Sequence, residues 1–349
     1  MDPLTHFLTG ACLGRSGFNR KSGLATAVMT IAADIPDLDV LANIGGPVFG
    51  FAHHRGFTHT FIGVPLDAAA AVLLVYGWHR WRLKRGHKPK FEPRWGRLFL
   101  FACVAALSHL LLDFTNNYGL RPFMPFDYHW YAWDIVFIVE PVLLVVLAGG
   151  LLLPRLFGLI NEEIGARKRP FQGRGGAITA LVLMCALWAV RDYQHRHALA
   201  AMRAVTYEDQ EPLRAAANPY PGNPFVWHGV VETETFFETA PVDSLTPQVD
   251  PRGTARVFYK PEETPVTLAA KKSYLGRIYL DWARFPITET EPLPGGGYRV
   301  SFYDLRFRYP GIGRNTLGAA VVLDKNLRVV EEEMGGLLRR RKSERPPVD

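Results

Sequence analysis

The sequence predicts an α-helical membrane domain of about four spans, preceded by a short helical hairpin and followed by a small antiparallel β domain. Long apolar runs are confined to residues 1–192, whereas residues 193–338 alternate short aliphatic or aromatic stretches with Pro, Gly, Thr and Glu. The mean hydropathy of +0.01 therefore averages two unlike halves. Residues 339–349 are charged and contain prolines, a composition that predicts a disordered tail.

Two short apolar stretches, Leu4–Leu13 and Leu24–Ala33, predict the helical hairpin. The connection between them, residues 14–22, contains Gly, Asn and Ser, which favour a turn. Each stretch is shorter than the roughly 20 residues that a helix needs to cross a bilayer. We therefore expect a packed or re-entrant hairpin that brings His6 and Asp34 to the same end.

Four longer apolar runs predict the membrane spans: Phe61–Trp78, Leu98–Phe114, Ile135–Leu153 and Ala177–Val190. The loops after the first and third runs are rich in Lys and Arg, which is typical of cytoplasmic loops. The loop at residues 115–134 has Arg121 as its only Lys or Arg and is rich in aromatic residues, which indicates the outer interface. The C-terminal half is therefore expected outside the cytoplasm.

The C-terminal half contains four stretches with the alternation and the β-branched or aromatic content of strands: Phe225–Phe237, Thr254–Tyr259, Tyr298–Tyr309 and Leu317–Leu323. Clusters of Pro and Gly, such as residues 294–297, separate them. This pattern predicts the small antiparallel β domain.

Charge and cysteine content argue against other classes of protein. The net charge is +7, but the basic residues concentrate in two loops between apolar runs, so we expect an orientation signal and no nucleic-acid partner. The cysteines, Cys12, Cys103 and Cys185, all lie in apolar segments and indicate neither a disulfide framework nor a thiolate zinc site. The N-terminus lacks the basic leader of a cleaved signal peptide, and we expect it to be retained.

Polar residues collect where the predicted spans meet the outer surface. The segment His53–His59, just before the first span, contains three histidines, an arginine and a threonine. His109 and Asp113 lie four residues apart near the outer end of the second span, so both project from one helix face and could chelate a divalent ion. An interhelical hydrogen bond is the alternative. However, a carboxylate in an apolar span is costly unless compensated, which makes function the default interpretation.

The predicted metal ligands share the same outer level: His6, Asp37, His59, His109 and Asp113, with Asp34 and Asp39 as alternates. Pro36 ends the second hairpin arm, which leaves the aspartates after it on an irregular segment. Nitrogen and carboxylate ligands without thiolate suit zinc, with manganese or iron as alternatives, and more than one ion could bind. Such an ion lowers the pKa of a bound water and clamps a phosphoryl oxygen, so we predict hydrolysis.

Three residues receive catalytic roles besides metal binding. Arg55 is predicted to contact an anionic substrate group through paired hydrogen bonds, although His54 and Arg55 could instead face lipid headgroups. Glu140, in the third predicted span, is predicted as an additional ligand or as a base bonded to a ligand. Asp34, beside the predicted ligands, is the third residue with a predicted catalytic role.

Several motifs occur in an order that resembles a known family: Met1–His6, Asp34–Asp39, His53–His59, and His109–Asp113 followed by Tyr118, Gly119 and Pro122. They resemble the YdjM-like, LexA-regulated inner-membrane metal-dependent hydrolases of bacteria, over roughly residues 1–150. The resemblance implies a multi-pass protein of the bacterial inner membrane with metal-dependent hydrolase activity.

A more distant similarity is to zinc-dependent phospholipase C and the related single-strand nucleases. His109 and Asp113 match the His-x-x-x-Asp helix of those enzymes. Their second, His-x-x-x-Glu, helix has no counterpart here, because Val136 stands four residues before Glu140. A complete three-metal site of that type is therefore not expected.

The predicted reaction is hydrolysis of a phosphoester, in a small molecule or a lipid, at the outer membrane–water interface, with membrane lipids as partners. One rival hypothesis is a non-catalytic membrane scaffold or an ion-conducting, transporter-like protein whose polar residues stabilise helix packing or pass an ion. Another is a soluble nuclease, which would require the apolar runs to be core helices.

Overall fold

The computed structural model describes residues 1–89, 91–163, 173–310 and 317–334, with the side chains of 158–163 left out. Contacts divide the chain into two compact units. The first comprises Met1–Val40, His53–Ala198 and Asn218–Trp227, and the second comprises Leu41–Ala52, Leu199–Ala217 and His228–Asp349. The tail predicted at 339–349 lies outside the described residues.

The N-terminal part of the chain is helical. Its α-helices are α1 (Pro3–Ser16), α2 (Ala25–Ala32), α3 (Pro47–His53), α4 (Gly63–Lys84), α5 (Trp95–Thr115), α6 (Pro141–Glu163) and α7 (Arg174–Arg203). Short 3-10 segments lie between them at Phe18–Arg20, Ile35–Gly45 and Phe57–His59. The order and type of these elements follow the apolar runs of the sequence.

The predicted hairpin is formed by α1 and α2. Asp2 caps α1, because its side chain accepts a hydrogen bond from the backbone N–H of Thr5 at 3.0 Å. The two helices approach closely at Gly10, where a Cβ atom would lie 2.5 Å from the carbonyl oxygen of Met29. Glycine is therefore required at this position for the helices to pack.

Two of the helices that the structure describes, α5 and α7, are long and apolar enough to cross a membrane. The helix α4 qualifies only together with Pro47–His59, from which it is bent by 88°, and the apolar part of α6, Pro141–Phe157, is shorter. The predicted count of four spans is therefore not confirmed. The prediction took each apolar run as one straight span, whereas α4 carries Asp67 and ends in a basic turn.

Small side chains pack the helices of the first unit. Alanines of α4 and α5, such as Ala71 and Ala102, are fully buried in one cluster with Val28 and Met29 of α2. Small residues let helix backbones approach closely, which is how helices pack in membranes. This packing fixes the ends of α2 and α5 relative to each other, and the candidate site lies at those ends.

The C-terminal part forms an antiparallel sheet domain, as the sequence predicts. Its strands are β1 (Arg214–Pro219), β2 (Val226–Glu232), β3 (Phe236–Asp243), β4 (Gln248–Val249), β5 (Arg256–Tyr259), β6 (Pro286–Pro292), β7 (Tyr298–Asp304), β8 (Ala319–Leu323) and β9 (Val329–Met334). One sheet has the order β1-β2-β3-β4, with β5 also paired to β3, and the other has the order β6-β7-β8-β9. The pairs of the second sheet are all antiparallel.

Two details of this domain differ from the prediction. The stretch Phe225–Phe237 is not one strand, because both the N–H and the hydroxyl of Thr233 bond the carbonyl oxygen of Phe236 and close a turn between β2 and β3. Two helices that were not predicted, α8 (Pro265–Lys272) and α9 (Tyr274–Trp282), precede the second sheet. The ring of Phe51 packs against Trp282 with centroids 5.4 Å apart.

Candidate metal centre

Four of the predicted ligands meet in the first unit: Asp37, His59, His109 and Asp113. Each offers one ligand atom, and these atoms all lie within 4.8 Å of one another. The two histidines and Asp113 are fully buried, whereas the side chain of Asp37 is 19% exposed. The cluster is therefore closed on most sides and opens toward Asp37.

Three segments position these four side chains. His109 and Asp113 lie four residues apart on α5 and share one helix face. His59 ends the 3-10 turn Phe57–His59, directly before α4. Asp37 lies in the 3-10 segment that follows α2, where Pro36 ends regular helix. The structure thus brings together residues that lie up to 76 positions apart in the chain.

The distances between the ligand atoms fit a tetrahedral ion. Nε2 of His59 lies 3.1 Å from Nε2 of His109 and 3.4 Å from Oδ2 of Asp113. The remaining measured distances, from the two Nε2 atoms to Asp37 Oδ1 and from His109 Nε2 to Asp113 Oδ2, are all 3.6 Å. Ligand atoms about 2.0–2.1 Å from a tetrahedral zinc ion lie roughly 3.3–3.4 Å from one another.

Hydrogen bonding leaves lone pairs directed into the cluster. Nδ1 of His109 lies 2.7 Å from the carbonyl oxygen of Ala33, which can only accept, so Nδ1 carries a proton and Nε2 is the nitrogen that a metal ion would bind. Oδ2 of Asp37 and Oδ2 of Asp113 are buried without a hydrogen-bond partner. Buried acceptors without a donor are costly unless a cation lies beside them, so this donor set fits a divalent ion.

His6, also predicted as a ligand, lies beside the cluster. Its ring stacks on that of His109 with centroids 3.7 Å apart, and its Nε2 is 3.5 Å from Oδ1 of Asp113. Both ring nitrogens are buried without a hydrogen-bond partner. Burial, and less strongly the neighbouring His109, lower the pKa of His6 to about 3, so the ring is neutral and can offer a lone pair.

Asp39 is not one of the four clustered residues, and it supports His59 from the other side. Its Oδ2 lies 3.4 Å from Nδ1 of His59 and accepts the backbone N–H of Arg55 at 2.6 Å. Its Oδ1 lies 3.2 Å from Nδ1 of His54. Although burial opposes the shift, the hydrogen bond to His54 lowers the pKa of Asp39. A carboxylate in this position orients a histidine ligand and raises its basicity.

Asp34 lies at the end of α2, near the cluster but not in it. Its Oδ1 is buried without a hydrogen-bond partner. Burial, and then the charge of Asp37, raise the pKa of Asp34 to about 7, so this carboxyl can hold a proton at neutral pH. The structure gives it no ligand contact with the four residues.

Arg55 occupies a different place from the one predicted for an anion contact. Its side chain is only 5% exposed, and its guanidinium bonds Oδ1 of Asp113 at 2.7 Å and the carbonyl oxygen of Gly119 at 2.7 Å. It also stacks on Tyr118 and bonds Asn116. Arg55 therefore holds Asp113 and balances its charge, as does the α-amino group of Met1, which also contacts Asp113.

Glu140 also departs from its predicted role as a ligand or base. It is buried and pairs with Arg191 at 2.7 Å, and its other oxygen accepts the backbone N–H groups of Val142 and Gly222. It thus lies at the N-terminus of α6, where a carboxylate is favourable. The pairing with Arg191, 51 residues later, cannot be seen in local sequence.

His54, to which the sequence assigned no role, is the solvent-exposed histidine beside the cluster. Its side chain is 38% exposed, and its ring centroid lies 5.4 Å from Tyr118 and 6.1 Å from His59. Because Nδ1 faces Asp39, Nε2 is the nitrogen that can meet a substrate. Its position five residues before His59 is the only sequence signal for this role.

Comparisons with known proteins match the part of the chain that contains this site. A family model described as YdjM inner membrane protein matches residues 1–198, which include every residue of the candidate metal centre. The uncharacterized protein YfhP of Bacillus subtilis (strain 168) is 24% identical over 155 residues, 42% of this chain and 43% of that protein. This chain therefore matches less than half of that relative's length. No solved structure matches the chain.

Proposed function

Since this chain belongs to the YdjM inner membrane protein family, we propose that it is a membrane-bound, metal-dependent hydrolase that acts on a phosphoester. The observation that carries the proposal is the buried set of four ligand atoms with the spacing of a tetrahedral site. The expected ion is zinc, with manganese or iron as alternatives for the same nitrogen and oxygen donors.

A divalent ion held by the four residues would lower the pKa of a water molecule and polarise a phosphoryl oxygen. His109 and His59 would supply nitrogen donors, and Asp37 and Asp113 would supply carboxylate oxygens. Arg55 fixes the carboxylate of Asp113 and keeps the net charge of the buried cluster low. His6 lies close enough to Asp113 to extend the site to a further ligand.

His54 and Asp39 are the residues placed to handle a proton beside the metal. Asp39 holds Nδ1 of His54, which leaves Nε2 as the ring nitrogen that can meet a substrate. From that position His54 can bind a phosphoryl oxygen or donate a proton to the leaving oxygen. The substrate is expected to enter on the side of Asp37 and His54, since these are the most exposed members of the group.

The surroundings of the cluster favour a lipid phosphoester among the possible substrates. Leu38, Phe57 and Phe61 flank the ligands in the chain and are 51%, 47% and 50% exposed. Large apolar side chains exposed next to a polar site are typical of contact with a membrane or an apolar partner. The basic loops place this end of the helices on the outer side in the proposed multi-pass topology, with the C-terminal domain outside the cytoplasm.

The test is metal analysis and hydrolysis by the full chain purified in detergent. Phosphomonoesters, phosphodiesters and phospholipids form the substrate panel, before and after removal and return of zinc or manganese. The proposal predicts hydrolysis that is lost with the metal and returns with it. A folded protein with stoichiometric metal but no activity on the panel would contradict the hydrolase. A folded protein without metal would instead favour a scaffold or ion-conducting protein.

A further inference from the structure

We propose that a groove between α1, α2 and α6 binds one anionic phospholipid, whose phosphate group pairs with Arg15 and Arg155. The groove encloses about 340 Å³. Ligand pockets in proteins commonly hold about 300–1,000 Å³, so the volume suits a headgroup with part of an acyl chain. The proposal is independent of the hydrolase, because it rests on residues outside the candidate metal centre.

The two arginines lie at the same end of the groove. Sγ of Cys12 lies 3.7 Å from the carbonyl oxygen of Leu147. A guanidinium nitrogen of Arg15 lies 3.5 Å from the carbonyl oxygen of Leu151. Contacts advance together along both helices, so α1 and α6 run parallel here. Arg15 ends the lining stretch of α1, and Arg155 ends that of α6.

The charges of these arginines are not balanced within the described side chains. Neither Arg15 nor Arg155 forms an ion pair with any carboxylate whose side chain the structure describes. Both arginines line the groove, and burial, followed by the charge of Arg155, lowers the pKa of Arg15. Adjacent guanidinium groups are well suited to bind a phosphate through several charge-assisted hydrogen bonds.

The rest of the groove is suited to a hydrocarbon chain and not to a free anion. Phe7 and Leu152 line it and are 48% and 51% exposed, and Leu8, which also lines it, is partly buried and packs against the core. Phe7 and Arg15 are eight residues apart on α1, which is about 12 Å along the helix axis. A ligand that satisfies both ends must therefore combine an anionic group with an apolar chain.

The end of the groove that carries the two arginines is separate from the metal centre along the same helix. His6 and Arg15 are nine residues apart, which is about 14 Å along α1. A lipid seated here would cover the exposed apolar surface of the hairpin and bridge α1 to α6. We expect it to stabilise the first unit without taking part in hydrolysis.

The experiment measures thermal unfolding of the full chain in a neutral detergent. Phosphatidylglycerol, phosphatidylcholine with the same acyl chains, and inorganic phosphate are titrated separately. We expect phosphatidylglycerol to raise the Tm and the other two to have little effect. An equal shift with phosphatidylcholine, or with inorganic phosphate, would overturn the proposal, since the site would then lack selectivity for charge or need no acyl chain.

Variants locate the effect in the groove. Arg15→Gln and Arg155→Gln should each weaken binding of phosphatidylglycerol about tenfold, the effect of losing one charge-assisted hydrogen bond. Arg85→Gln is the matched control, because Arg85 is an exposed arginine that stacks on Trp81 outside the groove. If the groove variants unfold, native mass spectrometry of the unaltered chain counts bound lipid. The site would be rejected if the unaltered chain retained no phosphatidylglycerol in native mass spectrometry. It would also be rejected if Arg85→Gln weakened phosphatidylglycerol binding as much as the groove variants do.

Discussion

Nε2 of His59 lies 3.1 Å from Nε2 of His109, although the two residues stand 50 positions apart and belong to different helical segments. With Nδ1 of His109 donating to the carbonyl oxygen of Ala33, the lone pair of its Nε2 points at the other ring. Two buried nitrogens at this distance have the spacing of neighbouring ligands on one ion. This relationship, more than the histidine content of the sequence, identifies the candidate metal centre.

Replacement of Arg55 should destabilise the protein. Arg55→Gln leaves the fully buried carboxylate of Asp113 without its main counter-charge, and breaking a buried pair in this way costs about 3–5 kcal/mol. The free energy of unfolding in detergent is the measurement. Arg214→Gln is the control, because Arg214 is 56% exposed in its pair with Glu232 and its loss should cost at most about 1 kcal/mol. Equal effects of the two changes would argue against this role for Arg55.

Replacement of Glu140 separates a structural from a catalytic role. Glu140→Gln leaves the buried guanidinium of Arg191 without its carboxylate partner, so the free energy of unfolding should fall by about 3–5 kcal/mol. Metal content and activity per folded molecule should stay unchanged, because Glu140 has no contact with the four ligands. Loss of metal at unchanged stability would restore the ligand role expected from the sequence.

Replacement of His54 should affect the reaction and not the metal. His54→Gln removes the imidazole held by Asp39 and proposed to meet the substrate, and loss of a proton-transfer group typically lowers kcat by about 10²-fold or more. Metal analysis and kcat are measured on the same preparation. His53→Gln, a change at the exposed neighbouring histidine, is the control. A variant of His54 with full kcat would exclude it from the reaction.

The C-terminal domain should lose stability in mild acid because of His228. This histidine is fully buried, donates from Nε2 to the carbonyl oxygen of Leu305, and burial lowers its pKa from 6.5 to about 4. The unfolded state therefore binds a proton that the folded state does not. The free energy of unfolding is therefore highest above pH 6.5. It declines as the pH falls toward 4, and His228 accounts for on the order of 3 kcal/mol of that decline.

Chemical denaturation of the full chain between pH 4 and 7 measures how steeply the free energy of unfolding depends on pH. His228→Gln keeps an N–H donor for Leu305 but does not titrate, so its stability should depend less steeply on pH over the same range. The same slope in both proteins would assign the acid sensitivity to other groups.

The sequence predicts the parts of this molecule that depend on local patterns. Apolar runs and turn residues predict the α1–α2 hairpin, and the spacing of His109 and Asp113 predicts a shared helix face. The sequence also predicts that His59 lies at the same level as His109 and Asp113, and the three residues lie in one cluster. Each of these inferences needs only periodicity, chain breaks and the length of a helix.

The features that the sequence does not reveal depend on pairing at a distance. The burial of Arg55 under Asp113 and the pairing of Glu140 with Arg191 join segments more than 50 residues apart. The 88° bend before α4 depends on the packing of a turn that contains His59. Propensity cannot distinguish an arginine that faces a substrate from one that supports a ligand, because both follow polar, helix-compatible sequence.

The most direct test of the metal centre is elemental analysis of the detergent-purified chain, with its His109→Ala and Asp113→Ala variants beside His87→Ala, a change at an exposed histidine of the basic loop. The site predicts stoichiometric zinc, manganese or iron in the unaltered chain and in His87→Ala. It predicts loss of that metal in the other two variants while they remain folded. Equal metal content in all four proteins, or none in any, would contradict the assignment of these residues as ligands.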